Sequence, residues 1–81
     1  MRVLYFGILK DIVGRRFSDM DLPEGLSVAE LVERHEREKK ASAELWSSIA
    51  VAVNQQYAKP EDVLRDGDEV ALLPPVSGGL R

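Results

Sequence analysis

The sequence predicts a single α+β domain, a roll in which one main helix packs across a mixed sheet of about five strands. Three observations predict it. The chain has 81 residues, 44% of them hydrophobic and 31% charged, which is enough for one modest core and no second domain. Strand-forming runs occur near both ends and in the middle, each bounded by turn residues. Between them lies one stretch with helical periodicity and a complete start signal. The resulting order is β, β, long helix, β, short β, β.

Val3, Leu4, Tyr5 and Phe6 are apolar, aromatic or β-branched in succession and read as a buried strand. A short helix follows over residues 8–13, stopped by Gly14. Residues 17–22 alternate, with Met20 and Leu22 on one face and Asp19 and Asp21 on the other, so they read as a half-buried strand ended by Pro23-Glu24-Gly25. Ser27 as N-cap, Glu30 three residues on, and Leu26 and Leu31 as a hydrophobic staple start the main helix at Val28. Val28, Leu31, Val32 and His35 form its apolar stripe, and residues 36–40 belong to its solvated face. A second helical piece over residues 43–48 buries Leu45 and Trp46. Residues 49–53 form a central strand with Ile49, Val51 and Val53 toward the helix and Ala50 and Ala52 away from it. Asn54-Gln55-Gln56 turns the chain, Tyr57 begins a short strand, and residues 59–62 make a turn. After the turn at residues 65–68, residues 69–73 are the last strand, which Pro74-Pro75 ends because neither proline donates to a ladder.

Composition excludes several functions. Eleven Lys and Arg against 14 Asp and Glu give a net charge of −3, with no basic excess for nucleic acid or an anionic membrane. No run approaches the roughly 18 apolar residues of a membrane span, and the N-terminus lacks a signal-peptide h-region, so a cytoplasmic protein is expected. Cysteine is absent, which removes disulfides, thiolate zinc sites and persulfides carried on this chain. The lone His35 makes no metal cluster and reads as core structure, so no metal site is expected. Glu61-Asp62 and Asp66-Gly67-Asp68 read as solvated turns rather than an acid/base pair. No phosphate-binding loop occurs, so no cofactor is expected on this chain and ATP, if used, is held by a partner.

Residues 76–81, Val-Ser-Gly-Gly-Leu-Arg, have no periodicity and read as a flexible tail on a domain of residues 1–75. Its chemistry would lie in a terminal carboxylate. Attack on the α-phosphate of ATP makes an acyl-adenylate, which sulfur or an amine displaces, and a thiocarboxylate made this way stores sulfur without cysteine. Gly78-Gly79 is also what a frayed terminus contains; the preceding Leu72-Leu73-Pro74-Pro75-Val76-Ser77 makes the ending a pattern. If Val3, Tyr5, Val70 and Leu72 face inward, Leu4, Phe6 and Leu73 face outward as an apolar patch leading into the tail.

With VLYFG near the start, AVAVNQQ in the central strand and DGDEVALLPPVSGG at the end, nearly the whole chain resembles the MoaD-type ubiquitin-like sulfur carriers, the small subunits of molybdopterin synthase in the MoaD/ThiS family. The resemblance implies a β-grasp fold. It implies that an E1-like enzyme adenylates the carboxylate of Gly79 with ATP and that a sulfurtransferase system makes it a thiocarboxylate. The tail, with Pro74, Pro75, Val76, Ser77 and Gly78 threading into the large synthase subunit, then delivers sulfur to cyclic pyranopterin monophosphate. Phe6, Leu73 and Leu4 would meet that subunit, in a heterotetramer of two small and two large chains. One departure matters: the family ends at Gly-Gly, whereas Leu80-Arg81 put Gly79 in an internal peptide bond. A processing protease, a natural fusion, or a carrier that never donates sulfur each accounts for it. The alternatives are a carrier for thiamine or tRNA thiolation, a protein modifier joined to lysine through Gly79, and an inactive β-grasp interaction module.

Overall fold

The structure is a computed structural model that describes residues 1–39 and 43–75. Its elements are β1 (Arg2–Tyr5), α1 (Ile8–Val13), β2 (Phe17–Asp19), α2 (Val28–Glu38), α3 (Ala43–Ser48), β3 (Ala50–Val53), β4 (Gln56–Tyr57) and β5 (Glu69–Leu73). The five strands lie in the order β2-β1-β5-β3-β4. β1 and β5 pair parallel in the centre, and the other three pairs are antiparallel. This is the β-grasp roll that the resemblance implies.

Strand alternation builds the core. Val3, Tyr5, Val51, Val70 and Leu72 point to one face of the sheet, where Leu9 of α1, Val28 and Leu31 of α2 and Trp46 of α3 meet them, together with the loop residues Leu26 and Leu64. Burying an aliphatic side chain of this size stabilises the fold by about 1.5–3 kcal/mol, so these contacts outweigh any surface pair. The start of α2 is as the sequence predicts. Glu30 N–H donates to Ser27 Oγ at 3.1 Å and Ser27 N–H donates to Glu30 Oε1 at 2.9 Å, which holds the Glu30 carboxyl below its usual range. Gly14 closes α1 in the left-handed conformation.

His35 is more deeply placed than an end-of-helix residue needs to be, at 3% exposure. Its Nδ1 lies 2.9 Å from the Leu31 carbonyl, which only accepts, so Nδ1 is the donor there. Nε2 lies 2.8 Å from the Tyr5 hydroxyl, which donates to Ser18 Oγ at 3.1 Å. The chain from Ser18 through Tyr5 to His35 satisfies three polar groups inside the roll and ties β2, β1 and α2 together. Burial pushes the Tyr5 phenol up.

Two strands are shorter than their sequence patterns. β2 ends at Asp19 instead of Leu22: Asp19 pairs with Arg2, Met20 N–H still donates to the Met1 carbonyl, and the chain then leaves the ladder as loop. Met20 and Leu22 still pack against the core, but as loop. β3 begins at Ala50 rather than Ile49, because Ala50 pairs with Leu73 and the next residue of β5 would be Pro74, which has no N–H. Leu45 packs at the edge of the core and only Trp46 is fully buried in α3. Lys40, the last residue of the predicted solvated face, lies outside the described residues.

Candidate functional site

The parallel pairing of β1 and β5 locates the site. Val3 pairs with Val70, Leu4 with Ala71 and Tyr5 with Leu72, so both strands run the same way and leave the sheet at the same end. The residues that follow, Phe6-Gly7 and Leu73-Pro74, therefore emerge side by side. The end of β1 and the base of the C-terminal tail form one surface.

That surface belongs to the outer face of the sheet. The pairings Phe17 with Leu4, Leu4 with Ala71, Ala71 with Ala52, and Ala52 with Tyr57 line up one row across all five strands. Phe6, Leu73 and Ala50 make the neighbouring row toward the tail. None of these residues belongs to the core cluster, because the three helices pack on the other side. Phe6 and Phe17 are each 44% exposed and Tyr57 is 81% exposed, while Leu4 and Leu73 are half-buried. Apolar side chains thus run contiguously across two rows of the outer face, a patch of the kind that suits a docking partner.

Charge is distributed unevenly along this face. At the end away from the tail, Arg2 pairs with Asp19 at 3.0 Å, beside Glu69, and its guanidinium lies over the Phe17 ring at 4.4 Å. The pair lowers the Asp19 carboxyl and raises Arg2, but both groups are solvent-exposed, and such pairs contribute little to stability. At the tail end, Leu4, Tyr5, Phe6, Gly7, Lys10, Arg16 and Phe17 line an open hollow of about 260 Å³. Lys10 and Arg16 put two cations on its rim, and neither has an ion pair among the described residues. The tail end of the face is thus apolar with a positive border.

Of the residues the sequence assigns to the site, Leu4, Phe6, Leu73 and Pro74 come together here, with Pro75 exposed just beyond. Val76, Ser77, Gly78 and Gly79 lie outside the described residues. Phe17, Lys10, Arg16 and Gly7 join the site without having been singled out. Phe17 has the same strand parity as the outward Asp19, so alternation already carried that signal; the two cations and Gly7 arrive through the tertiary fold. Glu61 is exposed, and Asp62 and Asp68 are tied up in turns, accepting from Lys59 N–H and Arg65 N–H at 2.9 and 2.8 Å. Among the described residues no group of three or more His, Asp or Glu is placed to hold a metal, and no helix is long and apolar enough to cross a membrane.

The chain is similar to known proteins in sequence and fold. The molybdopterin synthase sulfur carrier subunit of Chlamydomonas reinhardtii is 33% identical over 98% of this chain and 98% of its own length. In the structure of the complex of subunits 1 and 2 of molybdopterin-converting factor from Helicobacter pylori 26695, one chain matches with a TM-score of 0.64 and 29% identity over 96% of each chain. Small archaeal modifier protein 1 from Methanosarcina acetivorans matches with a TM-score of 0.69 and 26% identity over 96% of this chain and 94% of its own. The ThiS family model matches residues 3–79, and with a relative one-third identical over nearly all of both chains, this protein belongs to the ThiS family.

Proposed function

We propose that this chain is the sulfur carrier subunit of a molybdopterin synthase, working in the cytoplasm with Gly79 as the residue that carries sulfur. The observation behind this reading is the continuity between the exposed apolar face and the base of the tail: a partner seated on Phe6, Leu73 and Leu4 takes hold of the segment that begins at Pro74. The relatives named above support it, one as a sulfur carrier subunit and one as a chain in a two-subunit complex.

In this reading an E1-like enzyme binds ATP, and the Gly79 carboxylate attacks the α-phosphorus with loss of pyrophosphate. A sulfur nucleophile displaces AMP to leave a thiocarboxylate. The tail from Pro74 to Gly79 then enters the large synthase subunit, which supplies the remaining catalytic groups, and sulfur passes to cyclic pyranopterin monophosphate in a heterotetramer of two small and two large chains. Gly79 must end the chain for this, so the reading includes a protease that removes Leu80-Arg81.

The test uses two forms of the protein, one ending at Arg81 and one at Gly79, each incubated with the activating enzyme, ATP and a sulfur donor, and then weighed intact. The Gly79 form should gain one sulfur in place of oxygen, and the Arg81 form should not change. No adenylate on the Gly79 form would sink the proposal and leave an inert β-grasp module. A Gly-Gly branch on cellular lysines, without thiocarboxylate, would instead mark a modifier, the alternative toward which the archaeal relative points.

A further inference from the structure

The four glycines among the described residues all have positive φ, but they are not equivalent. A Cβ built on Gly14, Gly25 or Gly67 meets nothing within 4 Å, so those positions need glycine only for the backbone turn. A Cβ on Gly7 would lie 2.8 Å from Pro74 Cγ, 3.6 Å from Cδ and 3.8 Å from Cβ. The proline ring occupies the space a side chain would fill. We propose that Gly7 is a positioning residue, a seat for the Pro74 ring that sets the direction in which the C-terminal tail leaves the sheet. This inference rests on the sulfur-carrier reading for its consequence, though not for the contact itself.

Three features make the seat effective. The ladder between β1 and β5 runs out here: Phe6 N–H donates to the Leu72 carbonyl at 3.3 Å, and Pro74 has no N–H to add a rung. Past Leu73, the contact among the described residues that holds the chain is the ring against Gly7. The seat itself is anchored, because the Phe6 and Gly7 carbonyls accept from Leu9 and Lys10 N–H at 3.1 Å each, and Leu9 is fully buried. The base of the tail is stiff, since Leu73 and Pro74 each precede a proline and are confined to extended backbone. A direction set at Pro74 therefore carries to Pro75, the last described residue before the tail.

The first test is solution NMR of the full chain, where a nuclear Overhauser effect between the Gly7 Hα and the Pro74 ring protons is expected; its absence overturns the seat. The second compares wild type, Gly7→Ala, Pro74→Ala and the double variant, all ending at Gly79, in sulfur transfer with the large subunit. Gly7→Ala should lower kcat about tenfold or more through misalignment of the tail, with the KM for the large subunit within about threefold. The double variant should recover part of that loss relative to Pro74→Ala, because the clashing ring is gone while the strain of a side chain at φ +56° remains in both. An unchanged kcat in Gly7→Ala, or a loss that the double variant keeps in full, overturns the proposal. If wild type takes up no sulfur, the carrier reading fails by itself, and the Overhauser contact and the recovery of melting temperature in the double variant decide the seat.

Discussion

The buried Tyr5 hydroxyl shows what one atom decides in this fold. It lies 2.8 Å from Nε2 of His35, which is 3% exposed, so removing it leaves that nitrogen without its hydrogen-bond partner in the core. Tyr5→Phe should cost about 1–3 kcal/mol, the desolvation penalty of an unmatched buried polar group. A thermal melt of that variant equal to wild type would show that the Tyr5–His35 hydrogen bond does not stabilise the fold. Asp68 acts at the same scale but at the surface. Arg65 N–H and Asn54 Nδ2 donate to its two oxygens at 2.8 and 3.0 Å, which lowers its pKa, backbone donor first. A carboxyl lowered by folding stabilises the folded state above its unfolded pKa, and that contribution disappears as pH falls through the folded value. Stability should therefore decline with acid below roughly pH 4, and Asp68→Asn should flatten part of that decline. Asp19 and Glu30, which are lowered as well, supply the rest. Denaturant midpoints across the acid range read this directly, and an identical acid limb in Asp68→Asn would rule it out.

At the scale of elements, the β3–β4 hairpin contains the clearest misfit between residue and conformation. Val53 pairs with Gln56, so Asn54 and Gln55 form a two-residue loop, and both have positive φ, 51° and 70°. Such loops favour Asn followed by Gly. Asn54 suits its place and also accepts Glu69 N–H at 3.0 Å, but Gln55 carries a side chain in the left-handed region at a cost of about 1–2 kcal/mol. Gln55→Gly should raise stability by about 0.5–1 kcal/mol after the extra unfolded-state freedom of glycine is subtracted. A lower melting temperature would show that Gln55 makes a compensating contact. The capping box of α2 is the opposite case, with sequence and conformation in agreement, and Ser27→Ala should cost about 1 kcal/mol.

For the whole molecule, the decisive feature is that, among the described residues, the helices cover the sheet on one side only. The inner face holds the core, and the outer face carries Phe17, Leu4, Ala71, Ala52 and Tyr57 in a row with Phe6 and Leu73 beside it. Substitutions on the two faces should therefore separate binding from folding. Phe6→Ala or Leu73→Ala should raise the Kd for the large subunit tenfold or more, in the manner of an interface anchor costing about 2 kcal/mol, with small changes in melting temperature. Leu31→Ala should do the reverse, costing about 2–5 kcal/mol of stability. Titration calorimetry and thermal melts on the same variants distinguish these, and an unchanged Kd for Phe6→Ala would remove the outer face from the partner interface. The positive rim from Lys10 and Arg16 adds a salt dependence to the same binding.

The sequence by itself determined what depends on neighbours within a few residues. The Ser27 and Glu30 cap, the stop at Gly14, the alternation that turns Leu4, Phe6 and Leu73 outward, the turns at Asn54 and Asp68, and the break at Pro74 are all short-range effects of backbone geometry and nearby hydrogen bonds. The Gly-Gly ending was legible too, though only as a motif, since Val76 to Gly79 lie outside the described residues. The tertiary structure decided everything that depends on bringing the two ends of the chain together. The parallel register of β1 and β5 has no local signature; it follows from packing Val3 and Tyr5 with Val70 and Leu72 in one core. That register places Tyr5 against His35 and sets Gly7 against Pro74. A seat for the tail is a contact between residues at opposite ends of the chain, and only the folded sheet creates it.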